Sequence, residues 1–285
     1  MFNRFKIILQ YLLPKYLLSL LGGWLANRRA GILTRGLIRL FIRYYNIDLQ
    51  EAALSQVSDY NTFNQFFTRY LHADARPITC DDQWLVLPVD GFVSQLGDIT
   101  ESGLLQAKGH YYSLEQLLAG DHSLTKLFQG GKFATLYLSP RDYHRVHMPC
   151  EAVLQKMIYV PGSRFSVSSL TAQHVPQLFA RNERVITFFD TQFGPMVQIL
   201  VGAMVVGSIQ VVWAGQVCSW AGNITQWDYS GEKNSPINLP RGSEMGHFSL
   251  GSTVINLFAN PQLSFEEMLI PGQAIKLGNK YAKCL

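Results

Sequence analysis

The chain has 285 residues, enough for one large domain or two small ones, and its 48% hydrophobic content is that of a globular protein with a sizeable core. Charged residues make up only 15%, against a usual share of about a quarter, which leaves room for a partner other than water. The net charge of +4 belongs to one segment: residues 1–47 hold eight basic residues and no acidic one, and the remaining chain is net −4, which argues against nucleic acid as a partner.

In chain order, the basic segment comes first. Phe5 to Leu13 is apolar apart from Lys6 and Gln10, and Pro14 should end or kink a helix there. Tyr16 to Asn27 is an uncharged run of 12 residues containing Gly22-Gly23, well short of the ~20 apolar residues that a spanning helix needs. Arg35, Arg39 and Arg43 recur every four residues and form one stripe, with Leu37, Ile38, Phe41, Tyr44 and Tyr45 mainly on the other side. Amphipathic helices lying on an anionic membrane surface fit this pattern. A cleaved secretory signal would need a small-residue cleavage site after a single apolar block, and a mitochondrial presequence is normally serine-rich, whereas Ser19 is the only serine here. Packing of these helices on the protein's own core is the plainer alternative.

Thr62 and Gln65 have the spacing of a capping box and predict a helix start. From residue 84 the texture changes to short strands and turns. Trp84 to Pro88 leads into Val89-Asp90-Gly91, and Ser113 with Gln116 predicts a second cap, opening a short helix that ends near Gly120. Phe133 to Leu138 and Ala152 to Val160 read as strands, bounded by Pro140 and by Pro161-Gly162. Residues 191–227 contain no charge. Within them, Met196 to Trp213 is rich in β-branched residues and interrupted by Gly202 and Gly207, which favours buried strands over a membrane span. Cys80, Cys150, Cys218 and Cys284 lie far apart, with no CxxC pair, so a reducing compartment is the simpler reading. The expected fold is α+β: a mainly β core of antiparallel or mixed sheets carrying N-terminal amphipathic helices, divided at 1–71 and 72–285.

Three segments carry chemistry. The first is Gly251-Ser252-Thr253, inside the strand-like run Phe248 to Phe258. Glycine lets another group approach its carbonyl closely, and the hydroxyl that follows can attack it; the bland reading is a bend or bulge. The second is Ser139-Pro140-Arg141-Asp142-Tyr143-His144-Arg145-Val146-His147-Met148-Pro149, a polar knot right after a strand with two histidines three apart. Zinc on His144 and His147 would need further ligands, and none sits at a matching spacing, so no metal is expected. The third is Asp90, an acid at a strand end before Gly91. A serine hydroxyl needs a base, and the base needs an acceptor that fixes its tautomer; Asp90, His147 and Ser252 supply one of each.

Two reactions are open to such a trio. Ser252 can attack an external ester or amide, as in a membrane-associated serine hydrolase using Asp90, His147 and Ser252. It can instead attack the Gly251 carbonyl. The second path is an N-to-O acyl shift to an ester, then β-elimination that releases a chain ending at Gly251. The dehydroalanine left behind tautomerises and loses ammonia by hydrolysis, leaving an N-terminal pyruvoyl group. Its ketone can form a Schiff base with an amine substrate and accept electrons as CO2 leaves. A non-catalytic lipid-binding module is a third reading.

These residues resemble the phosphatidylserine decarboxylases of the shorter bacterial membrane-associated type. The resemblance rests on Pro88-Val89-Asp90-Gly91, on Leu138 to Pro149, on Phe179-Ala180-Arg181-Asn182-Glu183-Arg184, and on Leu250-Gly251-Ser252-Thr253-Val254-Ile255. Val89 is a small departure, where a smaller residue is expected. The resemblance implies self-cleavage between Gly251 and Ser252 into a β chain (1–251) and an α chain (252–285) that stay associated. It implies that Asp90, His147 and Ser252 drive processing, that Ser252 becomes the pyruvoyl cofactor, and that His144 assists decarboxylation. The implied substrate is phosphatidylserine, at the cytoplasmic face of the cell membrane, with the enzyme peripheral and homodimeric. Arg141, Arg145 and Arg181 are candidate anion-binding residues by charge alone.

Overall fold

A computed structural model describes residues 2–107, 110–204, 208–218, 222–231, 235–249 and 252–284, with the backbone alone for residues 2–6 and 252. Three helices open the chain: α1 (Phe2–Leu12), α2 (Lys15–Ala26) and α3 (Ile32–Tyr45). Pro14 separates the first two, since it has no amide to donate. Asn46 ends α3 in the left-handed region at φ 52°. A short fourth helix, α4 (Phe63–Phe67), starts as the capping residues require: the Gln65 amide donates to Thr62 Oγ1 at 3.0 Å. The Gln65 side chain accepts from the Asn61 amide at 2.9 Å, one residue before the position a standard box uses.

Ile38, Phe41 and Tyr45 of α3 turn inward and meet Phe63, Phe66 and Phe67 in a small aromatic core. Leu37 and Tyr44, expected on the same side, stay exposed with Ile32, Leu33 and Leu40, next to the exposed Arg35, Arg39 and Arg43. Tyr16, Leu17, Leu20, Leu21, Trp24 and Leu25 of α2 are exposed as well. No helix among the described residues is long and apolar enough to cross a membrane.

The rest is mainly β. In order come β1 (Trp84–Val86), β2 (Gly91–Asp98), β3 (Leu104–Ala107), β4 (His110–Tyr112), β5 (Lys132–Leu138), β6 (Arg145–His147) and β7 (Ala152–Val160). They are followed by β8 (Arg184–Thr191), β9 (Met196–Gly202), β10 (Ile209–Val211), β11 (Gly215–Val217), β12 (Thr225–Asp228) and β13 (Asn238–Leu239). The chain finishes with β14 (Glu244–Phe248), β15 (Ser252–Phe258), β16 (Leu263–Phe265), β17 (Ala274–Ile275) and β18 (Lys280–Cys284). Short helices α5 (Leu114–Leu117), α6 (His122–Phe128), α7 (Ser169–Ala172) and α8 (Leu178–Arg181) sit in the connections. Ser113 caps α5 as expected, accepting from the Gln116 amide at 3.3 Å.

One antiparallel sheet of nine strands organises the domain, in the order β12-β7-β8-β9-β15-β5-β2-β17, with β13 also on β7. Both faces are covered. Val254 and Phe258 of β15 face a core shared with the smaller sheets β11-β10-β14-β6 and β1-β18-β16, while Ile255 and Leu257 face a second core with Leu117, Phe128 and Phe179 of the short helices. Burial on both faces explains why β9 and β15 read as nearly continuous apolar runs. The expected buried strands in Met196 to Trp213 are β9 and β10; residues 205–207 between them lie outside the described residues. The protein is thus α+β, with helices at the N-terminus and a β core.

Candidate active site

The two-histidine loop is held by its own backbone. The Ser139 amide donates to Asp142 Oδ2 at 2.7 Å, and the Asp142 amide returns a bond to the Ser139 carbonyl at 2.9 Å. Asp142 then offers its carbonyl to His144 Nδ1 at 2.8 Å. A carbonyl only accepts, so Nδ1 carries the proton and Nε2 keeps a lone pair. His144 is fully buried, its ring 4.1 Å from that of Phe67, and Nε2 has no partner among the described residues. Burial pushes the His144 imidazole down to about 3, so the ring is neutral.

His147 repeats the arrangement. Its Nδ1 donates to the Gly242 carbonyl at 2.8 Å, which leaves Nε2 to accept from the Tyr143 hydroxyl at 3.2 Å. Burial lowers its pKa, with the Gly242 bond and Glu244 opposing, and burial also pushes the Tyr143 phenol up. Both histidines present neutral rings.

Strand pairing ties this loop to β14, the last strand before Ser252 in the sequence. β6 pairs with β14, and the Phe248 amide donates to the His144 carbonyl at 3.1 Å. The Ser249 amide donates to the Ser208 carbonyl at 3.0 Å. Three residues further on, Ser252 opens β15, in register with Leu138 of β5 on one side and Gly202 of β9 on the other. Leu250 and Gly251 lie outside the described residues, as does the Ser252 side chain.

Asp90 stands at the start of β2. Phe92 is in register with Tyr137, and Tyr137 with Thr253, so the Asp90–Gly91 corner and Ser252 share one end of the sheet. Neighbouring strands lie ~4.8 Å apart, which puts the two backbones on the order of 10 Å apart. Gly91 has φ 149° and packs so tightly on the Tyr137 carbonyl that a Cβ has no space. The Asp90 carboxylate is almost saturated. Arg76 Nε donates to both oxygens at 3.0 and 3.1 Å, Arg76 Nη2 to Oδ2 at 2.6 Å, and the Leu277 amide to Oδ1 at 2.9 Å. The same Arg76 Nη2 donates to Glu51 Oε2 at 2.6 Å, which holds the Glu51 carboxyl below its usual range. Among the described residues the ring nitrogens of His147 are bonded to Gly242 and Tyr143, and the Asp90 carboxylate to Arg76 and Leu277. The two share a backbone link: the His147 amide donates to the Pro88 carbonyl at 2.9 Å, two residues before Asp90.

Arg76, Glu51, Gly242 and Leu277 therefore belong to the site although the sequence did not single them out. Two act through backbone atoms, which carry no residue signature, and Arg76 lies outside every quoted segment. The arginines chosen by charge are otherwise engaged. Arg145 is buried, donating to Glu244 Oε1 at 2.6 Å and to the Thr68 carbonyl. Arg141 is exposed beside Asp142, and Arg181 lies over the ring of Phe165. No cluster of three His, Cys, Asp or Glu that could hold a metal occurs among the described residues.

A family model described as phosphatidylserine decarboxylase matches residues 63–283, and a second, described as PSD, matches residues 5–46. The phosphatidylserine decarboxylase proenzymes of Escherichia coli O9:H4 (strain HS) and of Escherichia coli (strain K12 / DH10B) are each 55% identical to it over 284 residues, covering 99% of this chain and 88% of theirs.

Proposed function

The chain belongs to the phosphatidylserine decarboxylase family, and on that premise we propose that it converts phosphatidylserine to phosphatidylethanolamine and CO2 after cutting itself between Gly251 and Ser252. The observation that carries this reading is the pairing of β6 with β14, which ties the two-histidine loop to the strand leading into Ser252.

In the processing step Ser252 is the nucleophile. His147, neutral and with its lone pair on Nε2, is the base once Tyr143 turns aside, and Asp90 supports the charge that develops on the ring. The division into a membrane-associating region (1–71) and a catalytic domain (72–285) belongs to the same reading, as does the split into a β chain (1–251) and an α chain (252–285). Support for a lasting two-chain product comes from β15, hydrogen-bonded over its whole length to β5 and β9.

The residues fit a pyruvoyl group formed from Ser252: that residue opens a central strand, and the orphaned Nε2 of His144 lies in an apolar setting on the loop bonded to the same segment. Such a group supplies a ketone that takes an amine and accepts the electrons freed as carboxylate leaves. The chain's own part is to exclude water around His144 and to keep that imidazole neutral beside the reacting headgroup. The exposed apolar residues of α2 and α3, interleaved with Arg35, Arg39 and Arg43, support docking on anionic lipid at the cytoplasmic face of the cell membrane. The mature enzyme acts there as a homodimer.

The test is direct. Wild-type protein should run as two chains on a denaturing gel and release phosphatidylethanolamine from phosphatidylserine vesicles, and Ser252→Ala should run as one chain and release none. Two fragments from Ser252→Ala would overturn the assignment.

A further inference from the structure

Arg69 follows α4 by two residues and is 6% exposed. Its Nη2 donates to the Arg141 carbonyl at 3.2 Å, and its Cζ lies 5.5 Å from the centre of the Phe66 ring. Nε and Nη1 are buried and have no partner among the described residues. Buried donors are almost always bonded, and a buried cation calls for an anion. The neighbouring carboxylates are already engaged. Glu51 and Asp90 share Arg76, Asp142 takes the Ser139 amide and faces Arg141, and Glu244 holds Arg145. Arg69 is thus a buried cation to which no described carboxylate is bonded. Burial lowers its pKa, as expected for a charge short of partners.

Two further orphans lie on the loop that Arg69 touches. Ser139 Oγ and His144 Nε2 are buried and unbonded among the described residues. Ser139 follows Leu138, the residue in register with Ser252. Arg69 also lines a cavity of about 130 Å³ with Tyr60, Gln65, Thr68, Tyr70 and Arg145. Unsatisfied polar atoms are thus found on both sides of one junction, where the helical segment meets the Ser139–His144 loop through the Arg69 bond to the Arg141 carbonyl and the contact of the Phe67 and His144 rings.

Building on the proposed decarboxylation, we propose that Arg69 is the headgroup-anchoring residue: its unbonded N–H groups take the phosphodiester oxygens of the lipid substrate. The shared chemistry is that of a phosphate anion, lipid-borne or free. The headgroup carboxylate is the poorer match. Its charge disappears as CO2 leaves, so an arginine fixed on it would stabilise the starting state and slow the reaction. A phosphodiester keeps its charge throughout, and binding it positions the amine and carboxylate without opposing the chemistry.

The experiment uses the full-length protein with dihexanoyl phosphatidylserine in solution, which separates headgroup recognition from membrane docking. Arg69→Met should raise KM at least tenfold with kcat within threefold, and Arg69→Lys, which keeps the charge and guards against a folding defect, should fall between. Calorimetry should show sn-glycerol 3-phosphate binding to wild type, at least tenfold more weakly to Arg69→Met, and with intermediate affinity to Arg69→Lys. A fall in kcat at unchanged KM, or equal glycerol 3-phosphate affinity in all three proteins, overturns the assignment. Inorganic phosphate binding as tightly as glycerol 3-phosphate, without competing against the lipid, assigns the site to the free ion and overturns it as well. If wild type failed to decarboxylate the lipid yet bound glycerol 3-phosphate through Arg69, the function would fall and the anion site would stand.

Discussion

Arg76 grips Asp90 from the side, with Nε on both carboxylate oxygens and Nη2 on one of them, while the same Nη2 reaches Glu51. Both partners of the central pair are nearly buried, with side chains 9% and 10% exposed. Removing one partner strands the other. Arg76→Met should therefore lower stability by about 3–5 kcal/mol. Pairing it with Asp90→Asn should cost less than the sum of the single changes, because the stranded charge is gone. Urea denaturation of the four proteins measures the coupling; additive losses would show that the two side chains do not interact.

The histidines set a pH dependence. The fold holds His144 at about 3 and lowers His147, through burial in both cases, while the unfolded chain takes up these protons from the ordinary value of 6.5 downward. The stability of the neutral-ring fold is complete above that value. It is lost as pH falls below that value, for His144 down towards about 3, at up to about 1.4 kcal/mol per pH unit for each histidine while it remains neutral in the fold. Urea midpoints between about pH 8 and pH 4 should fall accordingly, and His144→Asn should flatten the slope by roughly one proton. A slope unchanged in that variant would place the titration elsewhere.

After cleavage the 252–285 fragment should stay bound without a covalent link. Val254, Ile255 and Leu257 are fully buried, each worth about 1.5–3 kcal/mol of burial, and β15 keeps its ladders on both sides. Gel filtration should show the two chains eluting together and separating only in denaturant. Leu257→Ala, a large-to-small change in the core, should lower stability by about 2–5 kcal/mol.

Vesicle binding should depend on salt. Each basic residue near an anionic surface contributes about 1 kcal/mol, so changing Arg35, Arg39 and Arg43 together to glutamine should weaken sedimentation with phosphatidylserine vesicles on the order of a hundredfold at low salt. Wild-type binding should fall towards the variant's level as salt rises. Equal binding by both at every ionic strength would remove the arginines from the docking surface.

Much of the architecture was legible because the signals are local. Pro14 separates α1 from α2, Thr62 and Ser113 cap α4 and α5, and the strand Ala152–Val160 ends at Pro161-Gly162. The run from Ser252 to Phe258 is a strand, because alternate residues meet two different cores. The exposure of Leu37 and Tyr44 was not legible, since α3 packs on α4 through only part of its circumference. Nor were the partners of the site residues. The Gly242 carbonyl is brought to His147, and the Leu277 amide to Asp90, by pairings that span 95 and 187 residues. Arg69 escaped notice for a related reason: its bond to the Arg141 carbonyl spans 72 residues, and an arginine after a short helix otherwise reads as a surface residue.

The bond from Leu277 to Asp90 has one more consequence. Asp90 precedes the proposed cut and Leu277 follows it. Scission would thus divide between two polypeptides the groups that steady one carboxylate. Any loosening of the smaller piece would be felt at once by that acid, so the integrity of the two-part assembly and the alignment of its proton-handling groups stand or fall together.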